Sequence, residues 1–374
     1  MCHERAPRVT GERDAPGPMW PPGPQDADIP DAAEARLRDA WSLHARGRHL
    51  DAAEALEGAL EICPGSAKIH YFAGVSLSSA GHYARAVAAL ERAEAIEPAR
   101  ANVLAELARA LHGMRRHDEA LEVLARAAGI DPDDAAIRLA MGATLRELER
   151  HGEALEAFGA SERICASYGA RVGAGVALRM MGRHAEAASF LRRAIEMDPS
   201  GFAARLEAGK ALSSMGDAEG ALGELERAVS IDAGSAEARF WAGLALRALG
   251  RDAEARGHFE AAREGGGQQA AERALDELVQ ESQSVPDNPA VHERIAHALM
   301  EIRAHGEALD AMSRSAALDP QSARVHCSLA QVLREMGRLG GALEALGRAL
   351  DIDPGSARAR DMRECVLRDL GGAG

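Results

Sequence analysis

The sequence predicts an all-α fold, a right-handed α-solenoid of stacked helix-turn-helix units. Three observations carry this prediction. Pro64, Pro98 and Pro132 are spaced 34 residues apart, and so are Pro320 and Pro354. Small and large apolar residues keep fixed places within each such period. Apolar residues make up 47% of the chain but aromatics only 3%, which argues against a β-sandwich or barrel, where β-branched and aromatic residues dominate.

Residues 1–30 hold seven prolines and few aliphatics. They bury too little surface to offset the entropy of ordering, so a disordered Pro-rich tail is expected. Pro18 and Pro21 within it match the PxxP spacing of polyproline ligands. With Ala33 as position 1, nine repeats start at residues 33, 67, 101, 135, 168, 202, 236, 289 and 323. Position 20 is Ala in all nine and position 11 is Leu in all nine. Position 8 is always Gly or Ala, position 24 is large and apolar (Leu56 through Leu346), and position 27 is Ala or Ser. Positions 4, 7, 8 and 11 fall on one face of a helix, and 20, 24 and 27 on one face of a second. A breaker such as Gly47, Gly81 or Gly216 separates the two at position 15. Asp-Pro or a variant at positions 31–32 ends the second helix, because Pro lacks an N–H and disfavours helix in the residue before it. A lone hairpin of this kind cannot bury its faces, so neighbours must stack.

These columns resemble the tetratricopeptide repeat family: the 34-residue period, the small residue at 8, Ala at 20 and 27, a large residue at 24 and Pro at 32. The resemblance covers residues 33–356 and implies the fold stated above. It departs from the family where position 4 lacks the usual Trp, position 11 is Leu rather than Tyr, and position 17 is His in five repeats (His49, His117, His151, His184, His305). Size and polarity at the packed positions stay suitable.

The array reads as repeats one to seven over 33–266, one extra helix and a joint over 267–288, repeats eight and nine over 289–356, and a polar capping helix over 357–370. The segment after Gly265-Gly266-Gly267 carries a single apolar stripe, Ala271, Ala274, Leu275 and Leu278. Either the array bends there, or a degenerate repeat stacks normally, since such arrays tolerate imperfect members.

Charge and motifs narrow the function. Net charge is −14, against the basic balance of general nucleic-acid binders, so no nucleic-acid partner is expected. No stretch reaches the ~18–20 apolar residues of a membrane span, so no membrane insertion is expected. Five cysteines without a CxxC fit a reducing cytoplasm rather than a disulfide scaffold. His292-Glu293 and His297 nearly spell a zinc-protease motif, but the histidines are five apart rather than four, off a common face. His297, Met300 and Cys327 are the one imaginable soft-metal set, and ordinary packing explains them better. No phosphate loop, dinucleotide loop or nucleophile elbow occurs. No catalytic residue, metal or cofactor is therefore assigned, and the chain reads as no enzyme.

What remains is a surface. The family resemblance implies a concave groove lined by the first helices, mainly positions 2, 5, 6, 9, 12 and 13. Position 12 carries no acid, and holds His44, His112, Arg146, Arg179, Arg247 and Arg334. Arg109 and Lys210 at position 9 extend this basic stripe, which would suit an acidic or extended peptide. The competing reading is that these residues meet the carbonyls and dipole at the helix C-terminus. Trp41, Tyr71 with Phe72, and Trp241 are candidate anchors, or else partly cover the core. No repeat has the Asn at position 9 that the family's chaperone-tail clamp needs, and an Asn ladder at position 6 is absent. The expectation is a cytoplasmic scaffold or adaptor gripping a partner protein or peptide segment, an acidic one being what the basic stripe would suit. The alternative is a non-catalytic accessory that presents substrates to a separate glycosyl- or sulfotransferase.

Overall fold

The computed structural model describes residues 29–265 and 267–371. The Pro-rich segment expected at 1–30 lies almost wholly outside them. The described residues form twenty α-helices and no strand. None of these helices is long and apolar enough to cross a membrane. The chain divides into two compact units, Met1–Gly173 and Ala174–Gly374.

The first unit holds four hairpins: α1 (Asp31–Ala45) with α2 (His49–Ile62), α3 (Ala67–Ser79) with α4 (Tyr83–Ile96), α5 (Ala101–Gly113) with α6 (His117–Ile130), and α7 (Ala135–Glu147) with α8 (His151–Ile164). It closes with the start of α9 (Tyr168–Met180). The second unit continues through the rest of α9, α10 (His184–Met197), α11 (Phe202–Ser214), α12 (Ala218–Ile231), α13 (Ala236–Ala248) and α14 (Asp252–Glu264). Then come α15 (Gly267–Ser284), α16 (Pro289–Glu301), α17 (His305–Leu318), α18 (Ala323–Glu335), α19 (Leu339–Ile352) and α20 (Ala357–Gly371).

The repeat columns explain the hairpins. At position 8, a Cβ on Gly74 would lie 2.4 Å from Leu90 Cγ, and one on Gly209 would lie 2.4 Å from Leu225 Cγ. In the five repeats with Gly at position 8, the position-24 side chain thus fills the notch that the glycine leaves, and Leu90, Leu191 and Leu225 are fully buried there. Several first helices start on side-chain caps: Ser66, Asp134, Ser235, Asn288 and Ser322 accept hydrogen bonds from the N–H groups that open the next helix. Most second helices start differently. Arg116, Arg150, Arg183 and Arg251 each form an ion pair with the Glu three residues on.

Position 15 is left-handed in every repeat. Six repeats use Gly, with φ between 73° (Gly337) and 80° (Gly81), but Arg115, Glu149 and Arg303 adopt φ of 59°, 58° and 64°. An L side chain in this region costs ~1–2 kcal/mol, while Gly costs ~0.5–1 kcal/mol in chain entropy. Glu149→Gly should therefore stabilise the protein by about 0.5–1 kcal/mol in urea denaturation. An unchanged or lower midpoint would show that the turn carries no strain.

The stretch after α14 does not continue the stacking. α15 packs on α13, α14 and α16, while α16 reaches α11 and α13 besides α17 and α18. α16 is accordingly buried without interruption from Val291 to Met300. One apolar core joins Leu225, Trp241, Phe259, Leu278, Val291 and Met312. The apolar stripe of α15 faces that core: Ala271, Ala274 and Leu278 are buried.

Candidate functional site

In the first unit, the faces of α1, α3, α5 and α7 carry an aromatic and polar cluster. The Trp41 ring stacks on His44 at 5.1 Å and lies 6.0 Å from Phe72, which meets Tyr71 at 5.3 Å. Trp41 and Phe72 are half-buried, and Tyr71 is buried. Burial, reinforced by Glu106, pushes the Tyr71 phenol up to about 12. Arg109 Nε donates to Glu106 Oε2 at 2.7 Å and stays exposed. Arg146 bonds its neighbour Glu147 at 3.0 Å. His44 and His112 are held below their usual pKa, by burial first and then by His49 and His117 respectively. They are therefore neutral at pH 7 and add no charge to the stripe. They bond instead to Ser76 (3.1 Å) and Thr144 (3.4 Å) one repeat on.

In the second unit the corresponding groove is filled by the chain itself. The later part of α15 crosses α9 and α11. Glu277 accepts from Arg179 Nη2 at 3.1 Å and from Lys210 Nζ at 3.0 Å. Lys210 also bonds Glu207 (3.1 Å) and Glu237 (2.5 Å). Burial opposes its charge, but Glu207 and Glu277 outweigh burial and raise its pKa. Burial likewise opposes the Glu207 carboxylate, yet Lys210 and Arg179 take it down to about 2. One turn along α15, Glu281 is fully buried and accepts from Arg294 Nη2 at 2.8 Å. Ser284 Oγ donates to the Met180 carbonyl at 2.8 Å, and Asn288 Nδ2 to the Ser214 carbonyl at 3.0 Å. Both cations of α11 and α16 flank the Trp241 ring, Lys210 at 5.4 Å and Arg294 at 5.8 Å.

The sequence-predicted groove residues therefore separate into two sets. Trp41, Phe72, Arg109, His112 and Arg146 lie at least partly open on the first unit's face, with Tyr71 beneath them. Arg179, Lys210, Trp241 and Arg247 do not form an open surface: they are 2%, 1%, 0% and 7% exposed. Arg247 is tied to Glu301 at 2.6 Å, and Arg334 to Asp369 of α20 at 2.6 Å. Trp241 is thus a core side chain and no exposed anchor. Sequence reasoning missed Glu277, Glu281 and Glu301, the acids that neutralise the stripe. The available signal was Glu277 and Glu281 spaced four apart beside the apolar stripe of a helix with no hairpin partner.

Two residues of the near-motif are engaged elsewhere. His292 bonds the Pro286 carbonyl at 2.8 Å, and Glu293 pairs with Arg324 and accepts from Ser328 at 2.8 Å. Among the described residues, no group of three or more His, Cys, Asp or Glu is placed to hold a metal ion.

Stacked helical hairpins with a first-helix groove define a repeat solenoid of the protein-interaction scaffold class. Tetratricopeptide repeat models match residues 77–143 and 178–228, residues 25–67, 139–202 and 206–270, and residues 323–356. The chain belongs to the tetratricopeptide repeat family. A search of curated proteins found no significant match. Among solved structures, the chain is similar to PilW, described as a widely conserved type IV pilus biogenesis factor (21% identity, 52% of this chain and 90% of that one, TM-score 0.50). It is also similar to pilF of Pseudomonas aeruginosa (20% identity, 55% and 94% covered, TM-score 0.48). A third similarity, to the Cut9–Hcn1 tetramer of APC/C, spans 89% of this chain at 17% identity and a TM-score of 0.43, but only 55% of that chain's length. These likenesses concern the fold.

Proposed function

We infer that this chain is a cytoplasmic adaptor that grips a partner protein segment in the groove of repeats one to four. The observation that carries this reading is the contrast between the two grooves. In the second unit, Glu277 of α15 bonds Arg179 and Lys210, and Trp241 beside Lys210 is fully buried. In the first, Trp41 and Phe72 are only half-buried and Arg109 is exposed. Trp, Tyr and Arg are enriched among interface hot spots, the few residues whose truncation costs about 2 kcal/mol or more of binding. Thiols at Cys63, Cys327 and Cys365 are in keeping with a reducing compartment.

The experiment is a capture from native lysate by the full chain, run beside Trp41→Ala/Phe72→Ala and a control, Ile130→Ala, on a second helix. The expected result is a partner that the control retains and the double variant holds at least tenfold less well, with helicity unchanged. Equal capture by all three chains would sink the groove reading.

A further inference from the structure

The third and sixth repeats carry the same polar pair at the same register. Glu106 and Arg109 occupy positions 6 and 9 of α5, and Glu207 and Lys210 occupy positions 6 and 9 of α11. Each pair is bonded one helical turn apart, at 2.7 Å for Arg109 and 3.1 Å for Lys210. Each cation acts on an aromatic residue: Lys210 lies over the Trp241 ring, and the charge of Arg109 is felt by the Tyr71 phenol. The two sites differ in occupancy. Lys210 takes a further carboxylate, Glu277 of α15, whereas Glu106 is the one ion-pair partner of Arg109 among the described residues.

Resting on the groove reading above, we propose that Arg109 receives a carboxylate from an acidic, amphipathic helix of a partner protein, laid across the first-unit groove as α15 is laid across the second. α15 shows the chemistry such a groove accepts. Ala271, Ala274 and Leu278 turn small and medium apolar groups inward, and Glu277 beside them meets the cation at position 9. In the first unit, Phe72 and Trp41 supply the apolar wall, with rings 6.0 Å apart. The correspondence is incomplete in an informative way. Arg179, the second cation on Glu277, belongs to position 12 of the preceding repeat, and that register in the first unit holds Ser78. The Ser78 hydroxyl is buried and has no hydrogen-bond partner. Arg109 must therefore act alone, and a guanidinium suits this better than an ammonium because it can offer a carboxylate two parallel N–H bonds. With one cation and open solvent, the site is weaker and more salt-sensitive than the clasp on α15.

The probe is a labelled synthetic peptide with the sequence of residues 267–284, titrated into the full chain by fluorescence anisotropy. Saturable binding is expected. It should weaken at least tenfold with Arg109→Glu, at least tenfold when Gln replaces the two glutamates of the peptide that correspond to Glu277 and Glu281, and markedly in 0.5 M salt. Arg109→Lys should keep part of the affinity, which separates loss of charge from loss of fold. Absence of saturable binding would overturn the proposal. So would binding that Arg109→Glu leaves within twofold, the outcome expected if the peptide simply exchanges with α15. A partner lost on Trp41→Ala/Phe72→Ala from a chain that ignores this peptide would leave the groove reading standing and remove the acidic helix alone.

Discussion

Lys210→Ala is expected to destabilise the second unit by about 3–5 kcal/mol, the cost of removing one member of a buried ion network. Lys210 is 1% exposed, and its ammonium holds Glu207, Glu237 and Glu277 together. Without it, Arg179 alone faces Glu207 and Glu277. The loss should exceed that of an ordinary Lys on a helix, where the aliphatic stem alone is at stake. A second substitution distinguishes charge from packing. Adding Glu277→Gln to Lys210→Ala removes one of the stranded carboxylates and should recover part of the loss. Chemical denaturation monitored by far-ultraviolet circular dichroism reads both steps. A loss under ~1 kcal/mol would mean that α15 is not anchored through Lys210.

Acidification is the second large effect. His297 lies on α16, 2% exposed, with neither ring nitrogen hydrogen-bonded. Burial first, then Arg247, Arg358 and Arg324, hold its pKa well below 6.5. The nearby acids are committed to those arginines: Glu301 to Arg247, and Glu293 to Arg324. Between the folded and unfolded pKa values the unfolded chain carries a proton that the folded chain lacks. Stability therefore falls as pH drops below about 6.5, by at most ~1.4 kcal/mol per pH unit for this one group. His44, His112, His184 and His258 are lowered too, each with burial as the leading cause. Their contributions have the same sign. Glu207 acts at lower pH: its folded pKa of about 2 lies below the unfolded value near 4.5, so the stability it contributes is lost as pH falls from about 4.5 toward 2. Denaturation midpoints at pH 7.5, 6.5 and 5.5 should decline progressively, and His297→Leu should flatten part of the slope. Equal stability at 7.5 and 5.5 would refute the neutral, buried state assigned to these histidines.

The fold was legible because its information is local and repeated. Each hairpin is written in positions 8, 11, 20, 24 and 27, and the left-handed turn in position 15, all within 34 residues. Even so, the turn at Arg115, Glu149 and Arg303 is imposed by packing on residues that do not favour it. The groove was legible only in part. Reading position 12 as basic was straightforward, but whether those bases meet solvent depends on contacts far along the chain. Glu277 is 67 residues from Lys210 and 98 from Arg179. No periodicity links such residues, because α15 belongs to no repeat. The apolar stripe of α15 predicted that it packs, and left open on which surface. His44 and His112 show a further gap: the sequence counts them as basic, while burial makes them neutral acceptors or donors to the next repeat.

The crossing of α15 also decides which parts of the chain are interchangeable. Within the first unit every hairpin is built on the same repeat columns, so a hairpin could be duplicated or exchanged with the array preserved. From α9 onward that freedom is gone. Shifting α15 by even one residue would rotate Glu277 and Glu281 by ~100° and withdraw them from Lys210 and Arg294. Repeats five to eight are thus keyed to one another by a single strap of fixed length, whereas repeats one to four are the section where sequence can drift without dismantling the array.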